Sequence, residues 1–344
     1  MNKDDFLQEI TYYRLISDRN VVPCYGISQD SQGNHIMVME YVKDGSLRKY
    51  LQNNYKRLEF NDKFDGLCQI ALGLNSVHKQ GLVHRDFHSG NVLSKMDIVN
   101  SLSCYVTDLG LCRPSNEESE EGKIYGVLPY VAPEVLKDKQ YTQASDIYSF
   151  GIIAYELLAG SFPYRKYAHD SVLALRICEG LRPNLGKLEI PQLLKGLISQ
   201  CWDADPAKRP TANRLSKILK DWWNEISEEN SNYEEEGEIS EFYEQYQEIE
   251  EEYNNFSKNV SYQIHPSAIY TSRRLDFKNL PEPKNSKEIN DLFYSTGSIA
   301  ETIEIGLNKI DLQDTAKEEQ NSNQVAQIII QKEPLGVPGS SKNN

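Results

Sequence analysis

The sequence lacks the features that mark several common protein classes. Its six cysteines, Cys24, Cys68, Cys104, Cys112, Cys178 and Cys201, are scattered, and none forms a Cys-x-x-Cys pair. With no signal peptide, this argues against a disulfide framework and reads as reduced thiols in a cytoplasmic protein. Long apolar runs are also missing. The longest, near Gly151-Ile152-Ile153-Ala154, is broken by Glu156 and is too short to cross a bilayer, so no membrane partner is expected. There is no surplus of basic charge. The net charge is -14, but Asp221–Ser257 alone carries 14 acidic residues and no Lys or Arg, which leaves 37 acidic against 37 basic residues elsewhere. A neutral body with one acidic run excludes a nucleic-acid footprint. No Gly-x-Gly-x-x-Gly string and no internal repeat occurs. A length of 344 residues allows one large domain or two small ones, with enough apolar residues for a sizeable core.

What is present centres on His84-Arg85-Asp86-Phe87-His88-Ser89-Gly90-Asn91. Asp108-Leu109-Gly110 follows, and then Ala132-Pro133-Glu134. An H-R-D-x-x-x-x-N string, a D-x-G and an A-P-E in this order make a catalytic loop, a metal-binding turn and the end of an activation segment. Phosphoryl transfer needs a carboxylate to orient the attacking hydroxyl and hard oxygen ligands for Mg²⁺ on the ATP phosphates. Asp86 suits the first role, and Asn91 and Asp108 the second. Here the chain resembles the eukaryotic protein kinase family, over about residues 5–226.

The resemblance implies an α+β protein kinase-like fold: a small-lobe remnant over 1–42 and a complete, mainly helical large lobe over 43–226. Residues 5–16 carry apolar side chains at helical spacing. By resemblance this is the αC helix, with Glu9 as the acid that pairs with a strand-three lysine. That lysine and the glycine-rich phosphate loop lie upstream of αC in the family. Only Met1-Asn2-Lys3-Asp4 stands ahead of this helix, so both are expected to be missing, by truncation or by a start upstream of Met1. Lys3 cannot substitute, being on or beside the same helix as Glu9. Val21–Ile27 and His35–Val42 read as strands around a turn at Gln29–Asn34. The resemblance makes Met39 the gatekeeper and Glu40-Tyr41-Val42 the hinge that meets adenine; a plain hairpin fits the pattern equally well. Two strands and one helix cannot bury their own apolar faces, so this lobe should be the least stable region.

Ser46 is a plausible N-cap for a helix through Leu51. Phe64, Leu67, Ile70, Ala71, Leu74 and Val77 recur at three- and four-residue spacing over 61–79, a core helix stopped by Gly81. Val92-Leu93-Ser94 and Cys104–Thr107 read as strands that present Asn91 and Asp108 toward one point. Ala144–Leu158 is apolar on all sides and predicts a buried helix. By resemblance, Asp146 on that helix holds the catalytic-loop backbone, and Arg209 forms a buried ion pair with Glu134. In the segment 111–131, Ser115, Ser119 and Tyr125 are candidate phosphosites, with Arg85 poised to pair with an added phosphate; a merely solvated loop is the alternative.

Two residues after Asp86, where Ser/Thr kinases carry Lys, stands His88, which can replace part of that charge. Gly126–Glu134 looks most similar to the tyrosine-kinase-like group. The implied activity is therefore ATP- and Mg²⁺-dependent phosphorylation of protein substrates, leaning to Ser/Thr, impaired in this chain. A catalytically inactive kinase-like scaffold acting in signalling is the alternative. After Ile226 the composition turns to Glu, Asn, Ser, Gln and Tyr, which favours disorder. Within the 227–256 linker, Ile239, Phe242, Tyr246, Ile249, Tyr253 and Phe256 form an a/d-type seam. That helix, 239–256, either docks on its own large lobe or meets a partner or second copy. Residues 257–344 contain Pro281, Pro283, Pro334 and Pro338 among polar residues and are expected to be mostly disordered, with fragments near 300–312 and 325–331. This tail, including Gln263–Ala268, resembles tails in the expanded kinase set of arbuscular mycorrhizal fungi.

Overall fold

The chain was examined as a computed structural model, which describes residues 3–16, 18–97, 101–115, 124–227, 240–255, 263–287 and Asn290. In chain order it forms α1 (Lys3–Leu15), β1 (Cys24–Gln29), β2 (His35–Met39), α2 (Leu47–Asn54), α3 (Phe60–Lys79) and β3 (Leu82–Val83). Then come β4 (Val92–Met96), β5 (Leu102–Val106), β6 (Arg113–Pro114), β7 (Ile124–Gly126), α4 (Pro133–Asp138) and α5 (Gln143–Ala159). The last are α6 (Ser171–Cys178), α7 (Gln192–Cys201), α8 (Ala212–Ile226), α9 (Glu241–Asn255) and β8 (Arg273–Leu275).

The spacing of apolar residues in α3 produces the central axis of the large lobe. Phe64, Leu67, Ile70, Ala71, Leu74 and Val77 are all at most 1% exposed. Each large side chain among them contributes about 1.5–3 kcal/mol through burial. Helix α3 packs against α8, α5 and β5. Helix α5 is buried along nearly its whole length, as a helix apolar all round must be. Thr142 caps its start by accepting from the Ser145 N–H, and Gly160 ends it at φ 61°. A Cβ at Gly160 would lie 2.4 Å from the Tyr55 ring, so no larger residue fits. Ser46 caps α2 as expected, accepting from the Lys49 N–H.

Each sheet among the described residues is an antiparallel pair: β1 with β2, β3 with β6, β4 with β5 and β7 with β8. The first expected strand is displaced. Val21 and Val22 are buried against Val106, Pro23 interrupts, and pairing runs only from Cys24 to Gln29. The second strand ends at Met39, so Glu40 and Tyr41 lie outside it. In this hairpin Tyr25, Ile27, Ile36 and Val38 are more than 40% exposed, with Ile27 on one face and Ile36 and Val38 on the other.

Helix α9 docks on the large lobe through the aromatic seam. Phe242 stacks on Trp222 with centroids 4.3 Å apart and planes within 1°. It also meets Phe64, while Tyr246 meets Phe60. Of the other seam residues, Ile239 and Phe256 and the side chain of Tyr253 lie outside the described residues. The stretch 263–287, expected within a mostly disordered tail, is an ordered strap on the large lobe. Its backbone bonds to Arg165, His169 and Cys178. Its order comes from main-chain pairing and a few side-chain anchors, not from a periodic apolar face. Met1–Lys287 is one compact unit. The rest of the tail, including the fragments near 300–312 and 325–331, lies outside the described residues, as do Ser119 and the side chain of Lys3.

Candidate active site

The turn after β3 is fixed from below by one buried carboxylate. Asp146, in the first turn of α5, accepts the His84 N–H at 2.8 Å and the Arg85 N–H at 3.1 Å. His78 from α3 places Nε2 2.8 Å from the same side chain. These bonds hold Arg85 in the left-handed region, φ 69°, at a backbone cost of about 1–3 kcal/mol. The next residue, Asp86, is thereby turned inward to 7% exposure.

Three groups surround the Asp86 carboxylate. Asn91 points its Nδ2 at the Asp86 carbonyl, 3.0 Å, and at Oδ2, 3.5 Å. His88 places Nε2 3.5 Å from Oδ1. Its Nδ1 accepts the Gly90 N–H, so a neutral ring carries its proton on Nε2, facing the carboxylate. The side chain of Ser272 is the third group, and it lowers the Asp86 carboxyl. Burial pushes the Asp86 carboxyl up, but the hydrogen bond and charge of His88, the charge of His84 and the Ser272 hydroxyl outweigh it. The net result is a carboxyl below its usual range, ionised at neutral pH.

The backbone of the β4–β5 pair sets the position of the second carboxylate. Val92 faces Val106, and the Thr107 N–H bonds to the Asn91 carbonyl at 3.0 Å. Asp108 follows at φ 61°, exposed to solvent. Its N–H bonds to the Tyr13 hydroxyl at 2.8 Å, and that oxygen lies 3.1 Å from Thr107 Oγ1. Helix α1 therefore clamps the turn. From the same helix Glu9 reaches toward Gly110, where Glu9 Oε2 and Asp108 Oδ1 both lie within 3.5 Å of one point, the site of a Cβ on Gly110. Burial, then the charge of Asp108, pushes the Glu9 carboxyl up to about 6. Among the described residues no Lys or Arg lies in salt-bridge distance of Glu9.

The donor set fits Mg²⁺. Among the described residues no three His, Cys, Asp or Glu side chains gather into a metal cage. Mg²⁺ needs none, since it keeps several waters and takes substrate phosphates beside one or two protein ligands. Asn91 spends its amide hydrogens on Asp86, which frees its carbonyl oxygen for a cation beside Asp108. At the expected hinge, Met39 is half-buried, Glu40 donates its N–H to the Pro23 carbonyl, Tyr41 is 83% exposed and Val42 is buried. Arg85 lies over the Tyr141 ring at 5.9 Å, and the Tyr141 hydroxyl donates to the Tyr125 carbonyl. Of the candidate phosphosites, Ser115 is exposed and Tyr125 sits in β7.

Farther out, Glu134 and Arg209 form the expected ion pair, bidentate with both bonds at 2.7 Å. Sequence reading missed Tyr13, although it lies one turn from Glu9 on the same face. It also missed His78, the strap, and a buried cluster under the catalytic loop. There Tyr130 donates to Glu156, and Arg48 bonds Ser89 at 3.2 Å and the Tyr270 carbonyl.

Comparison with known proteins gives a consistent answer. Residues 1–219 match the family model described as protein tyrosine and serine/threonine kinase. A probable serine/threonine-protein kinase of Clostridium acetobutylicum is 33% identical over 66% of this chain and 33% of its own length. A dual specificity protein kinase of Dictyostelium discoideum is 31% identical over 63% of this chain and 10% of its own. A serine/threonine-protein kinase of Arabidopsis thaliana is 27% identical over 65% of this chain and 38% of its own. The aligned regions thus span well under half of these relatives.

Proposed function

The chain belongs to the protein tyrosine and serine/threonine kinase family, and from that premise we propose that it transfers the γ-phosphoryl group of ATP to a serine or threonine hydroxyl of a protein substrate. The observation that carries this reading is the Asp86 carboxylate, buried yet kept ionised, with Asn91 bonded to it and Thr107, next to Asp108, bonded to the Asn91 carbonyl. Asp86 orients the acceptor hydroxyl and receives its hydrogen bond. His88 places Nε2 3.5 Å from Asp86 Oδ1 and, when protonated, would add positive charge next to the transferred group. The Asn91 carbonyl oxygen and the Asp108 carboxylate would hold Mg²⁺. A bound Mg²⁺ neutralises charge on the ATP phosphates. Met39 through Val42 would meet adenine, and Arg85 links the catalytic loop to Tyr141 below the activation segment. The relatives named as serine/threonine kinases support the hydroxyl class, and the Gly126–Glu134 segment supports the tyrosine-kinase-like group. We assign a cytoplasmic signalling role on the reduced thiols; no helix among the described residues is long and apolar enough to cross a membrane. The tail supports kinship with the expanded kinase set of arbuscular mycorrhizal fungi.

Glu9 supports a slow enzyme. Among the described residues it faces Asp108, a like charge, with no Lys or Arg in salt-bridge distance. A site without one group that stabilises transition-state charge is slower by about 10²–10³. The same observation favours a second reading, a kinase-shaped scaffold without catalysis. Mg-ATP binding and radiolabelled phosphate transfer, compared for this chain and Asp86→Asn, separate the two. Transfer by the parent chain above the variant is expected. Equal background in both leaves the scaffold reading standing alone.

A further inference from the structure

The strap crosses the mouth of the candidate site. Strand β8 adds to β7 of the activation segment in antiparallel register, Ile124 to Leu275, Tyr125 to Arg274 and Gly126 to Arg273. Strand addition of this kind is how sheet edges recognise extended peptides. A Cβ on Gly126 would sit 3.7 Å from Asp86 Oδ1, so the residue paired with Gly126 lies beside that carboxylate. Its neighbour Ser272 lies near enough for its hydroxyl to lower the Asp86 carboxyl.

The flanks are anchored on both sides. The Tyr270 hydroxyl donates to the Pro163 carbonyl at 2.7 Å, and its ring packs 4.7 Å from both Phe162 and His169. Arg273 donates to the His169 carbonyl, and Leu275 is 1% exposed. Between these anchors Thr271 and Ser272 remain exposed. An extended segment is thus held at both ends, with Ser272 next to the residue that pairs with Gly126.

We propose that Tyr270–Leu275 occupies this chain's own peptide-substrate groove and presents Ser272 to Asp86 as a phosphate acceptor in cis. This rests on the transfer activity proposed above. In the step, Ser272 Oγ bonds to the γ-phosphorus of Mg-ATP and the bond to the β–γ bridging oxygen breaks. ADP leaves with the electron pair, and the hydroxyl proton passes to Asp86 and on to solvent. Phosphoserine carries about −1.5 to −2 charges at neutral pH, placed against a carboxylate. The product is therefore repelled from the groove, which opens to other protein substrates.

The test incubates the full chain with radiolabelled Mg-ATP and a mixed Ser/Thr peptide library, then maps phosphate by mass spectrometry. The expected result is phosphate on Ser272, with a first-order rate constant unchanged over about a tenfold dilution, as an intramolecular reaction requires. Ser272→Ala should lose this dilution-independent label, and persistence at full level would overturn the assignment. Labelled peptides with unmodified Ser272 would overturn the cis acceptor and leave the kinase reading intact. A Ser272 rate proportional to protein concentration would show reaction between molecules and overturn the cis geometry. No transfer to either acceptor would overturn both readings.

Discussion

Single charged residues set most of the geometry. Arg209 is wholly enclosed and meets Glu134 through two 2.7 Å bonds. Truncating one partner strands the other charge in the interior. Glu134→Ala should therefore cost about 3–5 kcal/mol in urea unfolding, and a loss below about 1 kcal/mol would show that the pair is not buried in solution. This pair and the bonds from Asp146 to the loop backbone were legible because their motifs stand at fixed places in the chain. Glu156 was not, since nothing local marks an acid inside an apolar helix. Burial pushes its carboxyl above the ordinary 4.5, against the charge of Arg48 and hydrogen bonds from Ser89 and Tyr130. The folded state thus holds this proton more tightly than the unfolded chain. Its stabilising contribution is complete below pH 4.5 and is lost as pH rises through the raised folded value. Glu156→Gln stays neutral and should gain in melting temperature relative to the parent as pH rises above 4.5. A difference that is flat from pH 4 to 8 would contradict the raised carboxyl.

At the scale of elements, α9 shows how far a periodic pattern reaches. The seam predicted a helix and an apolar face, and both are present. Its target, Trp222, lies twenty residues back on α8, and no local signal names a partner across that distance. Phe242 is 1% exposed between Trp222 and Phe64. Phe242→Ala should cost about 3–5 kcal/mol by thermal or urea unfolding, as large-to-small changes at buried aromatics do. An unchanged midpoint would mean that α9 is undocked in solution. The β1–β2 hairpin was readable for the opposite reason, since its turn and flanking apolar runs are local in the sequence. Its exposed Tyr25, Ile27, Ile36 and Val38 leave it few buried contacts. Its amides should exchange with deuterium well before those of β4 and β5, whose Val92, Cys104 and Val106 are fully buried. Equal protection of the two pairs would refute a weak small lobe.

At the scale of the whole molecule, the strap makes part of the tail belong to the catalytic lobe. Composition pointed to disorder there because Pro281 and Pro283 stand among polar residues with no helix or strand pattern, and a three-residue strand has too few positions to show a period. What orders it is non-local: main-chain bonds to Arg165, His169 and Cys178, and the pairing with β7. These partners exist only when the lobe is folded, so strap and lobe should unfold together. Arg273-Arg274 supplies a trypsin site within β8, and Trp202, Trp222 and Trp223 report on the lobe. Trypsin cuts chain that has opened, so cleavage under fast reclosing tracks the open population. Cleavage after Arg273 and Arg274 across a urea series should rise at the same midpoint as tryptophan fluorescence, the mark of one cooperative transition. Cleavage complete well before the fluorescence change would mean that the strap opens independently, leaving the groove accessible in the native lobe for most of the time.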